Sequence, residues 1–280
     1  MTAQVEIIVV GNEILQGDVL DTNSHWLCGQ LTGLGAVVRQ VTQVRDECPA
    51  IAEALRLALR RGNSLIILTG GLGPTADDLT LEAVAQALGV PLKEHPQALA
   101  WVADTYRHLA EEGRVPSAEM TPQRAKMAHL PAGCEPLFNA VGAAPGVLCR
   151  LAGQAIVCLP GVPAELKSIY QEALLPLMAE WLGPGAFVEW EAMVACNDES
   201  VLAPLLKYVV GAHPEVYIKS RARAFGESHG RFTITLSAQG ATRAEAEARV
   251  RSAWEDLRAV LGQAGLNASL SIPPSGPQGA

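Results

Sequence analysis

Leu65-Ile66-Ile67-Leu68-Thr69-Gly70-Gly71-Leu72-Gly73-Pro74-Thr75-Ala76-Asp77-Asp78-Leu79-Thr80 is the segment whose reading decides the fold. The apolar run predicts a buried strand, the glycines a turn, and the residues after them a helix whose first turn carries two adjacent carboxylates. Glycine at such a turn permits positive φ and lets backbone N–H groups converge on an anion, because no Cβ blocks the approach. The helix N-terminus behind it adds unpaired N–H groups and partial positive charge. Asp77 and Asp78 would repel a phosphate held there. A divalent cation between carboxylate and phosphate removes that conflict, since hard oxygen ligands with phosphate oxygens are the usual Mg²⁺ environment. The segment therefore predicts a metal-bridged phosphate site.

Other readings use the same residues. Thr75 followed three residues later by Asp78 resembles a capping pair, and acids in a first helical turn are favoured by the helix dipole alone. Gly71-Leu72-Gly73-Pro74-Thr75-Ala76 also satisfies the loose dinucleotide pattern G-x-G-x-x-A. Against that pattern, Pro74 stiffens the turn, and the paired acids would face a pyrophosphate that the dinucleotide fingerprint binds without metal.

The rest of the chain extends the strand–turn–helix pattern. Glu6–Val10 reads as a strand leading into Gly11-Asn12-Glu13, then Asp21-Thr22-Asn23 and a helix that ends at Gly35. Val37–Val44 alternates as a strand, Pro49 opens a helix with Ile51, Leu55, Ala58 and Leu59 on one face, and Leu81, Val84, Ala85 and Leu88 recur at helical spacing before Gly89. Pro96–Glu112 predicts a further helix, and Val115–His129 a polar surface stretch. Gly142-Ala143-Ala144-Pro145-Gly146 is a second small-residue turn. Ala155–Leu159 is a strand running into Pro160-Gly161-Val162-Pro163, with Pro163 opening a helix to about Trp181. This alternation predicts an α/β fold with a parallel sheet covered on both faces, its glycine turns meeting at the rim formed by the strands' carboxyl ends.

Gly183-Pro184-Gly185 marks a boundary. Residues 1–182 are expected to form the α/β domain, residues 186–265 a small α+β domain, and residues 266–280, rich in Pro, Gly and Ser, a disordered tail.

The 280 residues are 49% hydrophobic and 18% charged with a formal net charge of −8, which describes a globular chain with a substantial core and disfavours general attraction to nucleic acid or an anionic membrane. With no basic n-region and no long apolar run at the start, a cytoplasmic location is expected. Cys28, Cys48, Cys134, Cys149, Cys158 and Cys196 form no C-x-x-C pair and are expected to be free buried thiols, with no zinc site. H-E-x-x-H does not occur, so metallopeptidase chemistry has no support.

Four blocks resemble the competence/damage-inducible CinA family, whose core is similar to the molybdopterin-binding MoaB/MogA domain. They are Gly11-Asn12-Glu13-Ile14-Leu15-Gln16-Gly17 with Asp21-Thr22-Asn23, the Gly70–Thr80 block, Gly142–Gly146, and Leu159-Pro160-Gly161-Val162-Pro163-Ala164-Glu165-Leu166. They fall in the family's order, and the resemblance covers roughly residues 4–260. Asn12, Ala76 and Ala144 depart from the family pattern. The resemblance implies a molybdopterin-binding-like α/β domain followed by a KH-like domain, a dimer, and metal-dependent hydrolysis of ADP-ribose. The deamidase domain of longer relatives is not expected here.

On this reading Glu13 positions a water, and Asp77 and Asp78 are catalytic and hold a divalent cation, Mg²⁺. Glu13 as a solvated loop carboxylate and Asn23 as a helix cap are the alternatives. Gly71, Gly73 and Thr75 supply the phosphate cradle. Asn23, Gly70, Thr80, Gly142, Pro145, Gly146, Pro160 and Gly161 are further ligand-binding positions from the matching blocks. Lys219, Arg221 and Arg223, alternating on a strand, are either a solvated charged edge or second-domain phosphate contacts. The partner is a nucleotide or pterin phosphate. Gly211-Ala212-His213-Pro214 is not the G-x-x-G loop that clamps a nucleic-acid backbone, so nucleic acid is not expected. A non-catalytic molybdopterin-binding protein and a molybdopterin adenylyltransferase remain as alternatives.

Overall fold

The computed structural model describes residues 3–196, 198–222 and 231–271. The chain divides between Gly183 and Pro184 into two units, with Gly33–Gly35 counted with the second.

In the first unit β1 (Gln4–Val10), α1 (Asn12–Gln16), α2 (Thr22–Gly33), β2 (Val37–Val44), α3 (Cys48–Arg60), β3 (Leu65–Thr69) and α4 (Thr80–Leu88) follow the expected alternation. After them come β4 (Leu92–Glu94), α5 (Pro96–Glu111), α6 (Pro122–Lys126), β5 (His129–Pro131), β6 (Glu135–Leu137), β7 (Gly146–Leu151), β8 (Gln154–Leu159) and α7 (Pro163–Ile169). The sheet runs β2-β1-β3-β8-β7-β6. β2, β1, β3 and β8 are parallel. Every residue of β3 is buried, and so is all of β8 beyond Gln154. Strands covered on both faces read as continuous apolar runs, which is why Leu65–Thr69 and Ala155–Leu159 stand out in the sequence. At the edge, β2 exposes Arg39, Gln40 and Gln43. Ile51, Ala52, Leu55 and Ala58 of α3 pack against Ile8, Ile66 and Leu68 in one core.

The sheet is mostly parallel as expected, and it carries an antiparallel edge. β7 is antiparallel to β8, and β6 to β7. Only Ala152 and Gly153 separate β7 from β8, and a two-residue connection joins antiparallel strands alone. The helix expected from Pro163 to Trp181 is also interrupted. It passes into a π turn at Tyr170–Leu174 and a 3₁₀ turn at Leu175–Leu177 before α8 (Ala179–Leu182), because Pro176 lacks the N–H that a continuous helix would use. The stretch expected to lie over the surface holds α6, capped by the Thr121 hydroxyl, and the start of β5.

Two cysteines are not free. Pairing of Glu135 with Leu148 puts Cys134 opposite Cys149, and these form a disulfide. A cross-strand pair fifteen residues apart leaves no local spacing signature. Cys28, Cys48, Cys158 and Cys196 remain thiols, and burial pushes the Cys158 thiol up to about 12.

The second unit comprises β9 (Ala186–Ala195), α9 (Glu199–Ala212), β10 (Val216–Ala222), β11 (Arg231–Gly240), α10 (Arg243–Gln263) and β12 (Ala268–Leu270), with sheet order β10-β11-β9-β12. Val188, Ala192, Val194, Ile234 and Leu236 meet Leu202 and Leu206 of α9 and Val250, Ala253 and Leu257 of α10 in a separate core. This is the small α+β unit expected. Residues 268–270, expected to lie in the disordered tail, pair with β9 instead, and residues 272–280 lie outside the described ones. Lys219 is exposed on the edge strand β10. Arg221 follows on the same strand with its side chain outside the described residues, and Arg223 lies outside them altogether. Among the described residues no helix is long and apolar enough to cross a membrane.

Candidate functional site

The carboxyl ends of β1, β3 and β8 open on a cleft of about 600 Å³, within the range of small-molecule sites. The strand-end turns converge here as the sequence predicted. Val10 and Gly11 come from the β1 turn, Gly70 to Thr75 with Asp77 and Asp78 from the β3 turn, Pro160 to Pro163 from the β8 turn, and Ala143 and Ala144 from the loop before β7.

The β3 turn is built for glycine. Gly70 has φ +96°, and a Cβ there would lie 2.1 Å from the Val10 carbonyl oxygen. Gly71 has φ +66°, and a Cβ would lie 2.4 Å from Thr80 Oγ1. Thr80 is buried behind the turn, donating its hydroxyl to the Gly70 carbonyl (2.8 Å) and its N–H to that of Gly71 (3.2 Å). Gly70 N–H is spent on the Leu159 carbonyl, which ties the β3 turn to β8. The N–H groups of Gly71, Leu72 and Gly73 have no protein partner among the described residues, so they remain as donors at the cleft wall.

Asp77 and Asp78 line the cleft but lie before the helix, not in its first turn as expected. Thr75 and Asp78 close a reciprocal turn. Thr75 N–H and hydroxyl both reach Asp78 Oδ2 (2.8 and 2.6 Å), and Asp78 N–H reaches the Thr75 carbonyl (3.3 Å). With Thr80 N–H drawn back to Gly71, α4 starts only at Thr80. The Thr75 hydroxyl also lies against Asp77 Oδ1, and a hydroxyl carries one proton for these two acceptors. That bond, with Lys126 beyond it, holds the Asp77 carboxyl below its ordinary range. Lys126 donates to the Thr75 carbonyl.

Glu13 is in the first turn of α1 and lines the cleft. Asn23 lies beside it, in a side pocket of about 80 Å³ that shares Glu13, Gly161 and Pro163 with the cleft. It is 9% exposed, and its Nδ2 donates to the Gly161 carbonyl (2.7 Å) while its Oδ1 has no partner among the described residues. Asn23 therefore ties α2 to the β8 turn. Pro160 and Gly161 line the cleft. Gly142, Pro145 and Gly146 do not. Gly142 lies under the Glu165 carboxyl, and Gly146 packs in β7, where a Cβ would meet Ile169 and the Cys158 carbonyl.

Two acids that the sequence reading did not single out complete the lining. Asp46, just past β2, accepts the Asn12 N–H (2.7 Å). Burial raises its carboxyl, and the charges of Glu13 and Asp77 raise it further. Glu165, in the first turn of α7, accepts from Asn139 Nδ2 (2.7 Å), and burial raises it above its ordinary value. Asp46 could have been found from its place beyond a parallel strand's carboxyl end, and Glu165 from the block that carries Pro160 and Gly161.

The lining thus holds five carboxylates, Glu13, Asp46, Asp77, Asp78 and Glu165, and no Lys, Arg or His. An anion settling there would meet negative charge that Lys126, beside Thr75, offsets only in part, and a counter-cation would relieve it. Asp77 and Asp78 offer the hard oxygen donors Mg²⁺ takes. Among the described residues no three His, Cys, Asp or Glu side chains are close enough to hold an ion unaided. The donor set fits a cation that keeps one or two carboxylates and fills its sphere with phosphate and water.

Comparison with known proteins agrees with this architecture. The family described as "probable molybdopterin binding domain" matches residues 6–180. A protein of Aeropyrum pernix is 42% identical over 252 residues, covering 90% of this chain and 91% of its own length. One from Pyrobaculum aerophilum is 41% identical over 251 residues, with 90% and 91% covered. Among solved structures, CinA from Thermoplasma acidophilum, described as of unknown function, is 38% identical with a TM-score of 0.56, over 61% of this chain and 95% of that one. The chain belongs to the family of probable molybdopterin-binding domains, and its α/β unit is a CinA-like member of it.

Proposed function

We propose that the cleft binds a nucleotide pyrophosphate of the ADP-ribose type together with a divalent cation, Mg²⁺, and hydrolyses it to AMP and a sugar phosphate. The observation that carries this reading is the pairing of five carboxylates in the lining with a turn of N–H groups that have no protein partner among the described residues. Gly71, Leu72 and Gly73 hold phosphate oxygens through their N–H groups, and Asp77 and Asp78 hold the cation. The cation, when bound, neutralises charge on the phosphate oxygens. Glu13 accepts a proton from a water as its oxygen bonds to phosphorus and the bridging P–O bond breaks, the electron pair leaving on the departing phosphate. Thr75 fixes the two aspartates relative to the cradle.

A second reading, a pterin phosphate bound without turnover or adenylylated from ATP, is favoured by the family description. Incubating the protein with ADP-ribose, FAD and ATP, each with and without Mg²⁺, and identifying products by mass separates them. Hydrolysis predicts AMP and ribose 5-phosphate from ADP-ribose only with Mg²⁺, and a fall of roughly 10²-fold in Asp78→Asn. Unchanged release of AMP by that variant removes Asp78 from the mechanism. No product from any of the three supports the pterin reading.

A further inference from the structure

Glu165 is held more elaborately than an ordinary surface carboxylate. Asn139, 6% exposed, uses all four of its hydrogen-bonding sites. Its Nδ2 donates to the Ala144 carbonyl (2.8 Å) and to Glu165 Oε2 (2.7 Å), and its Oδ1 accepts from Val141 N–H (3.0 Å) and Gly142 N–H (2.9 Å). The carboxyl rests on Gly142, where a Cβ would come within 2.2 Å of it. One oxygen is thereby fixed, and Oε1 makes no hydrogen bond among the described residues although the side chain lines the cleft.

Burial and the Asn139 bond act on Glu165, whereas Asp46 also responds to the charges of Glu13 and Asp77. No basic side chain lines the cleft to pair with it. The cleft has an acid group beside the phosphate-binding turn and, separately, a single immobilised acceptor. A carboxylate with one oxygen fixed and the other open to the cleft suits an uncharged donor on the part of the ligand next to its phosphate. In a nucleotide that part is the pentose.

We propose that Glu165, positioned by Asn139, accepts a hydrogen bond from a ribosyl hydroxyl and makes the cleft selective for ribose-bearing phosphates. This rests on the reading that a nucleotide occupies the cleft. Removing a ligand hydroxyl that a half-buried, clamped carboxylate receives leaves that acceptor unpaired, which makes such contacts discriminating.

The test is affinity, by calorimetry with Mg²⁺ present, for AMP, 2′-deoxy-AMP and 3′-deoxy-AMP. Wild type is expected to bind at least one deoxy analogue roughly tenfold to a hundredfold more weakly than AMP, the span of one hydrogen bond to a charged acceptor. In Glu165→Ala that ratio falls to near one. Should Glu165→Ala fold poorly, Glu165→Leu keeps most of the bulk and offers the hydroxyl neither acceptor nor donor, so the ratio falls there too. A wild type indifferent to both deoxy analogues, or a variant that keeps the discrimination, overturns the proposal. So does an equal loss for all three nucleotides, which would assign Glu165 to the cation or the phosphate. AMP release from ADP-ribose is followed in parallel. Selective binding without turnover sinks hydrolysis and leaves this inference standing, whereas turnover without selectivity sinks this inference alone.

Discussion

The rim of the α/β unit and the small second unit obey local rules to different degrees. In the second unit both long helices are capped, α9 by Asp198 accepting from Ser200 N–H and α10 by Thr242 accepting from Glu245 N–H. The Glu245 carboxylate turns back to the Ala241 N–H (2.8 Å), and Arg249–Glu245 and Arg251–Glu247 pair at i,i+4. Around the cleft, α1, α4 and α7 all begin without a side-chain cap. Their neighbours are unpaired N–H groups, glycines at positive φ and acids with no basic partner in the lining. At the cleft, N–H groups without a protein partner and acids without a basic partner in the lining meet where a ligand would complete them, as expected of a functional site.

The sharpest way to break this contrast is one substitution made in both places. Gly70→Ala is predicted to cost about 3 kcal/mol or more, because alanine resists φ +96° and its Cβ meets the Val10 carbonyl. Gly262→Ala in α10, where a Cβ meets nothing within 4 Å, is predicted to stabilise by about 0.5 to 1 kcal/mol. Denaturant midpoints at constant slope measure both, and equal effects would remove the distinction. Between these in size, Thr242→Ala should cost about 1 kcal/mol through loss of the cap.

At the rim the sign reverses for a polar residue. Asp46→Asn keeps an oxygen for the Asn12 N–H and removes a charge that Glu13 and Asp77 oppose. Stability is predicted to stay level or rise by up to about 0.5 kcal/mol, while affinity for Mg²⁺-nucleotide falls. A clear loss of stability would show that the rim acids support the fold.

The smallest effect is on pH dependence without metal. Asp46 and Glu165 bind protons more tightly in the folded chain than their ordinary values of 3.8 and 4.5 imply. Their contribution is present below those values and lost as pH rises through the raised ones, so acidifying from neutrality should add slightly to stability. Glu6, buried beside Arg61 (2.6 Å), shifts the other way. Burial alone would raise it, and its bonds to Arg61 and Asn63 outweigh that, so its contribution holds above its ordinary 4.5 and is lost as pH falls through its depressed value. A chemical-denaturation series across acid pH should show a shallow rise followed by a fall. A monotonic decline from neutrality would count against the raised rim acids.

The sequence made the rim legible because Leu65–Thr69 and Ala155–Leu159 are unbroken apolar runs ending in Gly and Pro turns, and parallel strands bring such turns to one edge. β7 escaped because a hairpin partner behind a two-residue turn looks like loop when the glycine turn before it draws the eye. Asp77 and Asp78 were found but misplaced by one turn of chain, since only the side-chain closure by Thr75 shows that the helix waits until Thr80. Asp46 and Glu165 were missed because each reaches the cleft through a pairing distant in sequence, Asp46 with Asn12 and Glu165 with Asn139.

Binding of ADP-ribose to the wild-type protein, measured by calorimetry in Mg²⁺ and again in EDTA, tests the cation-bridged cleft most directly. Affinity at least tenfold weaker in EDTA is predicted, with the Mg²⁺ dependence largely gone in Asp78→Asn. Equal affinity with and without the cation would contradict it.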